Sequence, residues 1–124
     1  MTKIIIAISP NFNNQNLFNE TLSNYIEKLA NPTNIEFILP GDLDHRRINI
    51  ALKFAQLHKI KIVLTTVNNN LENRTKLQNE FIARTGSRCI CFNAESKNPF
   101  SSLQKECKTF SRPFHYCHAE PLAA

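Results

Sequence analysis

A polar segment directly after the first apolar run of the sequence carries the residues best suited to hold a ligand. It reads Ser9-Pro10-Asn11-Phe12. Hydroxyl and amide groups donate hydrogen bonds to phosphate or ribose oxygens, and an aromatic ring can stack on a base. We therefore expect Ser9 and Asn11 to contact a phosphate or a ribose, and Phe12 to stack on a base. The alternative is a simple turn, with Phe12 packed in the core.

Two further segments could complete such a site. Pro40-Gly41-Asp42 follows the second apolar run, and Gly41 would let the backbone approach an anion at the start of the next helix. Arg74 and Thr75 open a later helix, where a positive charge is unfavourable for the helix dipole. Arg74 therefore qualifies as a partner for a charged ligand. An ordinary strand–helix turn and plain solvent exposure are the corresponding alternatives.

The charged residues add two candidates. The formal net charge is +5, but only His45-Arg46-Arg47 forms a dense basic group. An extended nucleic-acid interface needs basic residues clustered on one face, so we expect no nucleic-acid partner and expect Arg46 to serve a compact anion such as a phosphate. Asp42 and Asp44 could perform acid–base chemistry or bind a metal, although capping of the next helix is the more ordinary use of such a pair.

The four cysteines lack the spacing of a zinc site. Cys89 and Cys91 are two residues apart and would share one face of a strand, whereas Cys107 and Cys117 lie further along the chain. Structural zinc sites typically use pairs spaced C-x₂₋₄-C. We predict reduced thiols that pack as small hydrophobic side chains, with zinc binding, a disulfide or a redox function as alternatives. No metal and no cofactor is assigned.

The fingerprints of the common nucleotide-dependent enzymes are absent from the sequence. It has no G-x-G-x-x-G, no G-x-x-x-x-G-K-[ST] and no G-x-S-x-G segment. Its two glycines, Gly41 and Gly86, are too few for a glycine-rich loop around a phosphate. We therefore assign no catalytic residue.

Hydrophobic periodicity places these candidates on alternating strands and helices. Apolar, β-branched runs predict strands, and apolar residues at helical spacing predict helices. The predicted strands are residues 3–8, 35–39, 60–67, 88–92 and 113–117, and the predicted helices begin after Asn13 or Asn14, after Asp42 or Asp44, near Leu71, and at Ser101 or Ser102. This alternation predicts a single Rossmann-like three-layer α/β domain over residues 1–118, with a mostly parallel four- to five-stranded sheet and a frayed tail over residues 119–124. In such a sheet ligands bind at the carboxyl ends of the strands, where the three polar segments lie.

The apolar runs are too short for a membrane or an export signal. The first ends at Ser9 after about five residues, below the ~7–15 of a signal peptide, and none approaches the ~18 that span a bilayer. We expect a cytoplasmic protein without a membrane partner, in its own cell or in a host cell if it is viral.

The polar segments also match, in part, the motifs of a known superfamily. Residues 8–12 (ISPNF) stand in the place of a G-S-R-x-F-like turn, residues 39–46 (LPGDLDHR) in that of a G-G-A-x-G-A-D-like loop, and Arg74-Thr75 in that of an R-N pair. The chain in these respects resembles the SLOG superfamily, the Rossmann-like nucleotide-binding domains related to DprA and to cytokinin-activating phosphoribohydrolases, and above all its small stand-alone branch similar to YspA and YpsA. The residues that keep the family's type are Ser9, Phe12, Gly41 and Arg74.

This resemblance implies a domain that binds a nucleotide and has lost the hydrolase activity of its relatives. The P-G-G-x-G-T-x-x-E pattern, whose glutamate acts with an arginine on the N-glycosidic bond in the phosphoribohydrolases, is absent. We expect a non-catalytic binder that senses or sequesters a nucleotide-derived signal. If the protein is encoded by a virus, it would act as a sponge for a host immune messenger. Because small domains of this architecture often place ligand sites at subunit contacts, we also expect a homo-oligomer.

Two other functions stay open. One is an N-glycosidic hydrolase of the phosphoribohydrolase type, with Asp42, Asp44 or Glu72 as acid or base. The other is a protein-interaction module that uses the basic group at residues 45–47 and apolar residues near Phe110 and Tyr116.

Overall fold

Five strands and four helices alternate along the described part of the chain. The computed structural model describes residues 2–29, 34–41, 43–65 and 74–119, without the side chains of residues 74–77. The strands are β1 (Thr2–Ile8), β2 (Ile35–Pro40), β3 (Lys61–Thr65), β4 (Arg88–Asn93) and β5 (Phe114–His118), and the helices are α1 (Gln15–Glu27), α2 (His45–His58), α3 (Arg74–Thr85) and α4 (Ser101–Thr109). The predicted alternation is confirmed, and the ends differ from the predicted ones by a few residues.

The strands form one parallel sheet in the order β3-β2-β1-β4-β5. The central strand β1 pairs with β2 on one side, where Ile5 lies opposite Ile38, and with β4 on the other, where Ile5 lies opposite Cys89. The predicted Rossmann-like α/β domain is thereby confirmed, with five strands.

Both faces of the sheet are buried, which explains the uninterrupted apolar run of β1. Ile4, Ile6 and Ile8 pack in the core cluster shared with α1 and α2, and Ile5 and Ala7 pack in the cluster shared with α3 and α4. Each buried isoleucine contributes roughly 1.5–3 kcal/mol to stability through the apolar surface that it removes from water. A strand covered on both faces needs apolar residues at every position rather than at alternate ones.

Side-chain caps start two helices as predicted and a third differently. The Leu17 N–H donates to Asn14 Oδ1 at 3.0 Å before α1, and the Arg47 N–H donates to Asp44 Oδ1 at 2.9 Å in the first turn of α2. The predicted cap of α4 by Ser101 or Ser102 is wrong, because Phe100 is the N-cap residue and makes no side-chain cap bond. The chain is turned instead by Asn98, whose Oδ1 accepts from the Phe100 N–H at 2.8 Å.

Three of the four cysteines lie in the core, as predicted. Cys89, Cys91 and Cys107 are buried in the cluster between the sheet, α3 and α4, whereas Cys117 is partly exposed. The C-x-C spacing puts Cys89 and Cys91 on one face of β4, with their sulfur atoms 3.8 Å apart. The hydrogen bond with Cys89, together with burial, holds the pKa of the Cys107 thiol well above its ordinary 9.0. The Cys107 thiol therefore packs as a neutral group.

Two other predictions concern the ends and the helices of the chain. Residues 120–124, which form most of the tail predicted to be frayed, lie outside the described residues, so the division at residue 118 stays a prediction. Among the helices described, none has the length and apolar character required to cross a bilayer.

Candidate functional site

A cleft of about 200 Å³ opens at the carboxyl ends of β1 and β2. The sheet order reverses at β1, because the chain returns from β3 at one edge to β4 beside β1. Ligands of doubly wound sheets bind at such a switch point. The residues that line the cleft include Pro10, Pro40, Arg47, Gln78, Asn79 and Phe100.

Ser9 ties the end of β1 to the end of β4. Its side chain is fully buried, and its Oγ accepts a hydrogen bond from the Ala94 N–H at 2.8 Å. The Ser9 N–H donates to the Phe92 carbonyl at 2.9 Å. Serine is therefore used here for a buried connection between two loops, next to the cleft rather than inside it.

Asn11 donates two hydrogen bonds to the carboxylate of Glu95, which lies in the loop after β4. Its backbone N–H donates to Glu95 Oε2 at 3.0 Å, and its Nδ2 donates to Glu95 Oε1 at 2.6 Å. Desolvation is the largest single effect on the Glu95 carboxyl and raises its pKa. Hydrogen bonds from Ser9 and Asn11 and the charge of Arg47 outweigh it, and the pKa lies below its ordinary value. Glu95 is thus held as an anion at the carboxyl ends of β1 and β4.

Phe12 belongs to the core. Only 1% of the residue is exposed, and its ring centroid lies 5.4 Å from that of Phe92. No face of the ring is open to a base, so the expected stacking by Phe12 is corrected to core packing. The physical reason is a turn, in which the Phe12 N–H donates to the Ser9 carbonyl at 3.1 Å and the ring packs against Phe92.

The two arginines at the start of α2 fold back onto the loop after β1. Arg46 donates from Nη1 to the Phe12 carbonyl and from Nη2 to the Pro10 carbonyl. Arg47 donates from Nη1 to the Ile8 carbonyl at 3.0 Å and from Nε to Asp44 Oδ1 at 3.2 Å. Their positive charges lie in a first helical turn, which is unfavourable for the dipole. Backbone carbonyls and the Asp44 carboxylate compensate for that position.

The arginines face different surfaces. The Arg47 side chain is only 16% exposed and lines the cleft. Arg46 lines a separate depression between the start of α1 and α2, together with Gln15 and Lys53. The sequence singled out Arg46 for an anion, whereas the structure places its neighbour Arg47 in the cleft.

The remaining predicted site residues are only partly described. Pro40 lies at the end of β2 and lines the cleft, and Gly41 follows it. Asp42 lies outside the described residues, as do the side chains of Arg74 and Thr75, which open α3.

Of the three carboxylates predicted as acid or base of a hydrolase, only Asp44 lies within the described residues. Asp44 caps α2, and its backbone hydrogen bond from Arg47, more than any other effect, lowers the pKa of this exposed carboxyl. Glu72 lies outside the described residues.

Gln78, Asn79 and Phe100 are among the cleft residues that sequence reasoning missed. Gln78 and Asn79 come from α3, and Phe100 precedes α4. A signal existed for Gln78, which is buried one turn before the core residue Ile82 and so interrupts an apolar helix face. No comparable signal marks Asn79 or Phe100, because their meeting depends on how α3 and α4 pack on the same face of the sheet.

The apolar surface expected near residues 110–116 is smaller than predicted. Phe110 and Phe114 pack against the core, and Tyr116 remains exposed. Within the residues that the structure describes, no group of three or more histidine, cysteine or acidic side chains could hold a metal ion.

Comparisons with known proteins add a fold and no family. No family model matches the chain, and no curated protein matches it. Among solved structures it resembles the crystal structure of the Pyrococcus horikoshii OT3 translation initiation factor eIF-2B, with a TM-score of 0.58 and 16% sequence identity. The alignment covers 95% of this chain and 41% of that one, so the chain spans less than half of its neighbour's length. This likeness supports the Rossmann-like α/β fold.

Proposed function

We propose that this chain binds a small nucleotide-derived anion in the cleft at the carboxyl ends of β1 and β2, and releases it unchanged. The observation that carries the proposal is a largely buried guanidinium, that of Arg47, in the wall of this cleft. Asp44 and the Ile8 carbonyl pair with two nitrogens of this guanidinium, and an anionic ligand could accept a charge-assisted hydrogen bond from the third.

Arg47 is held in place for this task. Its Nη1 and Nε are fixed by the Ile8 carbonyl and by Asp44, and its Nη2 makes no hydrogen bond to the described residues. The guanidinium is planar and always charged, so fixing two of its nitrogens also orients the third. An incoming oxyanion can accept from Nη2 without the entropic cost of ordering a flexible side chain.

The other lining residues suit the rest of a nucleotide. The carboxamide of Asn79 offers both a donor and an acceptor, which is what the polar edge of a base requires. Phe100 is partly exposed and is available for stacking in place of Phe12. The cleft volume of about 200 Å³ is smaller than the ~300–1,000 Å³ of sites that enclose drug-sized ligands. A mononucleotide fits these dimensions better than a dinucleotide.

The two described carboxylates near the cleft, Asp44 and Glu95, favour binding over catalysis. General acid catalysis near neutral pH needs a carboxyl group whose pKa is raised. The pKa values of both Asp44 and Glu95 are lowered by the N–H and hydroxyl groups that they accept from. The resemblance to SLOG domains agrees with this conclusion, since the glutamate motif of the phosphoribohydrolases is missing while Ser9 and Gly41 keep the family's residue types.

Isothermal titration calorimetry against mononucleotides, ADP-ribose derivatives and cyclic dinucleotides tests the proposal. We expect heat with at least one mononucleotide-sized compound, and chromatography after incubation should return that compound intact. Cleavage of the N-glycosidic bond would instead identify the hydrolase. Absence of heat at high protein concentration would refute binding, and capture of a protein partner by such an inert chain would favour the interaction module. Light scattering in the same samples tests the expected homo-oligomer.

Two variants locate the site. Arg47→Ala should weaken binding by roughly 10- to 100-fold, as expected for one charge-assisted hydrogen-bonded pair. Arg84→Ala is the matched control, because Arg84 is 61% exposed and pairs with Glu80 on the surface of α3. Circular dichroism must show that Arg47→Ala remains folded. Equal affinities of the two variants would place the ligand elsewhere.

A further inference from the structure

The loop after β1 directs two hydrogen-bond donors at a single carboxylate. The Asn11 backbone N–H and Nδ2 bind the two oxygens of Glu95 at 3.0 and 2.6 Å. Backbone amides and carboxamides around one anion are donors with which proteins hold phosphate oxygens. Glu95 thus occupies a set of donors that would serve a phosphate equally well.

Glu95 does not line the cleft itself, but its partner Asn11 directly follows a residue that does. Pro10 lies between Ser9 and Asn11 and lines the cleft, and the Arg47 guanidinium is close enough to act on the Glu95 charge. A phosphate bound to Arg47 would therefore meet a negative charge nearby. The like charges would repel each other unless the carboxylate moved away.

The backbone of Glu95 is anchored independently of its side chain. Asn93 is buried, and its Oδ1 accepts from the Glu95 N–H at 2.9 Å. The Asn93 Nδ2 also donates to the Lys97 carbonyl at 3.2 Å, which adds a second hydrogen bond between Asn93 and the backbone of this loop. The Glu95 side chain is partly exposed. It can rotate into solvent without unfolding the loop.

We propose that Glu95 is an internal competitor for the phosphate of the ligand, and that the phosphate takes over the two donors of Asn11 when the Glu95 side chain rotates outward. This inference rests on the proposed function and adds a regulation to it. While the site is empty, Glu95 satisfies the donors and keeps the loop ordered. Binding exchanges one anion for another, so the affinity for phosphate is lower than the donors alone would give.

Titration with inorganic pyrophosphate, followed by ¹⁵N–¹H NMR, tests the exchange. Glu95→Gln keeps the size of the side chain and removes its charge. Glu80→Gln is the control, because the Glu80 carboxylate likewise accepts a side-chain hydrogen bond, in its case from Arg84, but lies on α3. We expect Glu95→Gln to bind pyrophosphate at least about tenfold more tightly than the wild type, from the loss of one nearby like charge. The backbone and side-chain amide signals of Asn11 should shift, and Glu80→Gln should match the wild type. Glu95→Ala should show the same direction of change.

Three results would overturn the inference. Unchanged affinity in Glu95→Gln would mean that Glu95 only connects the two loops. Weaker binding would mean that Glu95 contacts the ligand itself, and shifts that spare Asn11 would place the phosphate elsewhere. The proposed function is judged separately by calorimetry. If wild-type protein binds a nucleotide and Glu95→Gln binds it no better, the inference fails alone. If Glu95→Gln binds pyrophosphate at Asn11 and no variant binds a nucleotide, the proposed function fails alone.

Discussion

Replacing Ser9 by alanine separates the connecting function of its hydroxyl from a contact with a ligand. In the wild type the Ser9 Oγ accepts from the Ala94 N–H at 2.8 Å within a buried environment. Ser9→Ala leaves that N–H without an acceptor and without access to water. We expect the variant to fold and to be less stable.

The magnitude follows from the burial of both groups. A buried donor left unsatisfied costs about 1–3 kcal/mol. The entropy of unfolding scales with chain length, and for 124 residues 1 kcal/mol corresponds to roughly 4 °C in Tm. The expected fall in Tm is therefore about 4–12 °C.

Thermal denaturation and hydrogen exchange together provide the assay. The Tm of Ser9→Ala is compared with that of Ser102→Ala, a control on the exposed first turn of α4 that should stay within about 0.5 kcal/mol of the wild type. The amide proton of Ala94 should exchange faster in Ser9→Ala. A Tm within 1 °C of the wild type, equivalent to about 0.25 kcal/mol by the same scaling, together with unchanged exchange at Ala94 would refute the hydrogen bond between Ser9 and Ala94. That result would favour the direct contact of Ser9 with a ligand that the sequence predicts.

Three further predictions concern the core. Gly86→Ala should lower the free energy of unfolding by about 1–3 kcal/mol in urea denaturation, because the new Cβ would lie 2.5 Å from Ile5 Cγ1, and a more stable variant would contradict this. Phe12→Ala should lower it by about 3–5 kcal/mol, and a loss below about 1 kcal/mol would show that the ring is not packed in the core. The contribution of the Cys107 thiol to stability should be full below about pH 9 and fall above it, since this thiol ionises first in the unfolded chain while its pKa in the fold is raised by Cys89 and burial. Cys107→Ala should flatten that decline in pH-dependent denaturation, and an equally steep decline would assign it to other groups.

The fold could be predicted from the sequence because its signals are local. The apolar run of β1 and the helical spacing of apolar residues in α1 and α2 require burial on defined faces, and parallel strands joined by helices leave few arrangements. The caps Asn14 and Asp44 were predictable for the same reason, since a cap bonds to a backbone N–H only three residues away. The cap of α4 was not, because the serines there compete with a turn made by Asn98.

The candidate site depends on contacts between residues distant in the chain, and only the tertiary structure decided those. The sequence alone determined that polar groups would gather at the carboxyl ends of β1 and β2. It could not decide that the Phe12 ring would turn inward to Phe92, or that Arg47 rather than Arg46 would face the cleft. Nor could it pair Asn11 with Glu95, which is 84 residues away. The physical reason is that hydrophobic period and propensity act over a few residues, whereas the direction of each polar side chain is set by whichever partner the packed sheet brings within hydrogen-bond distance.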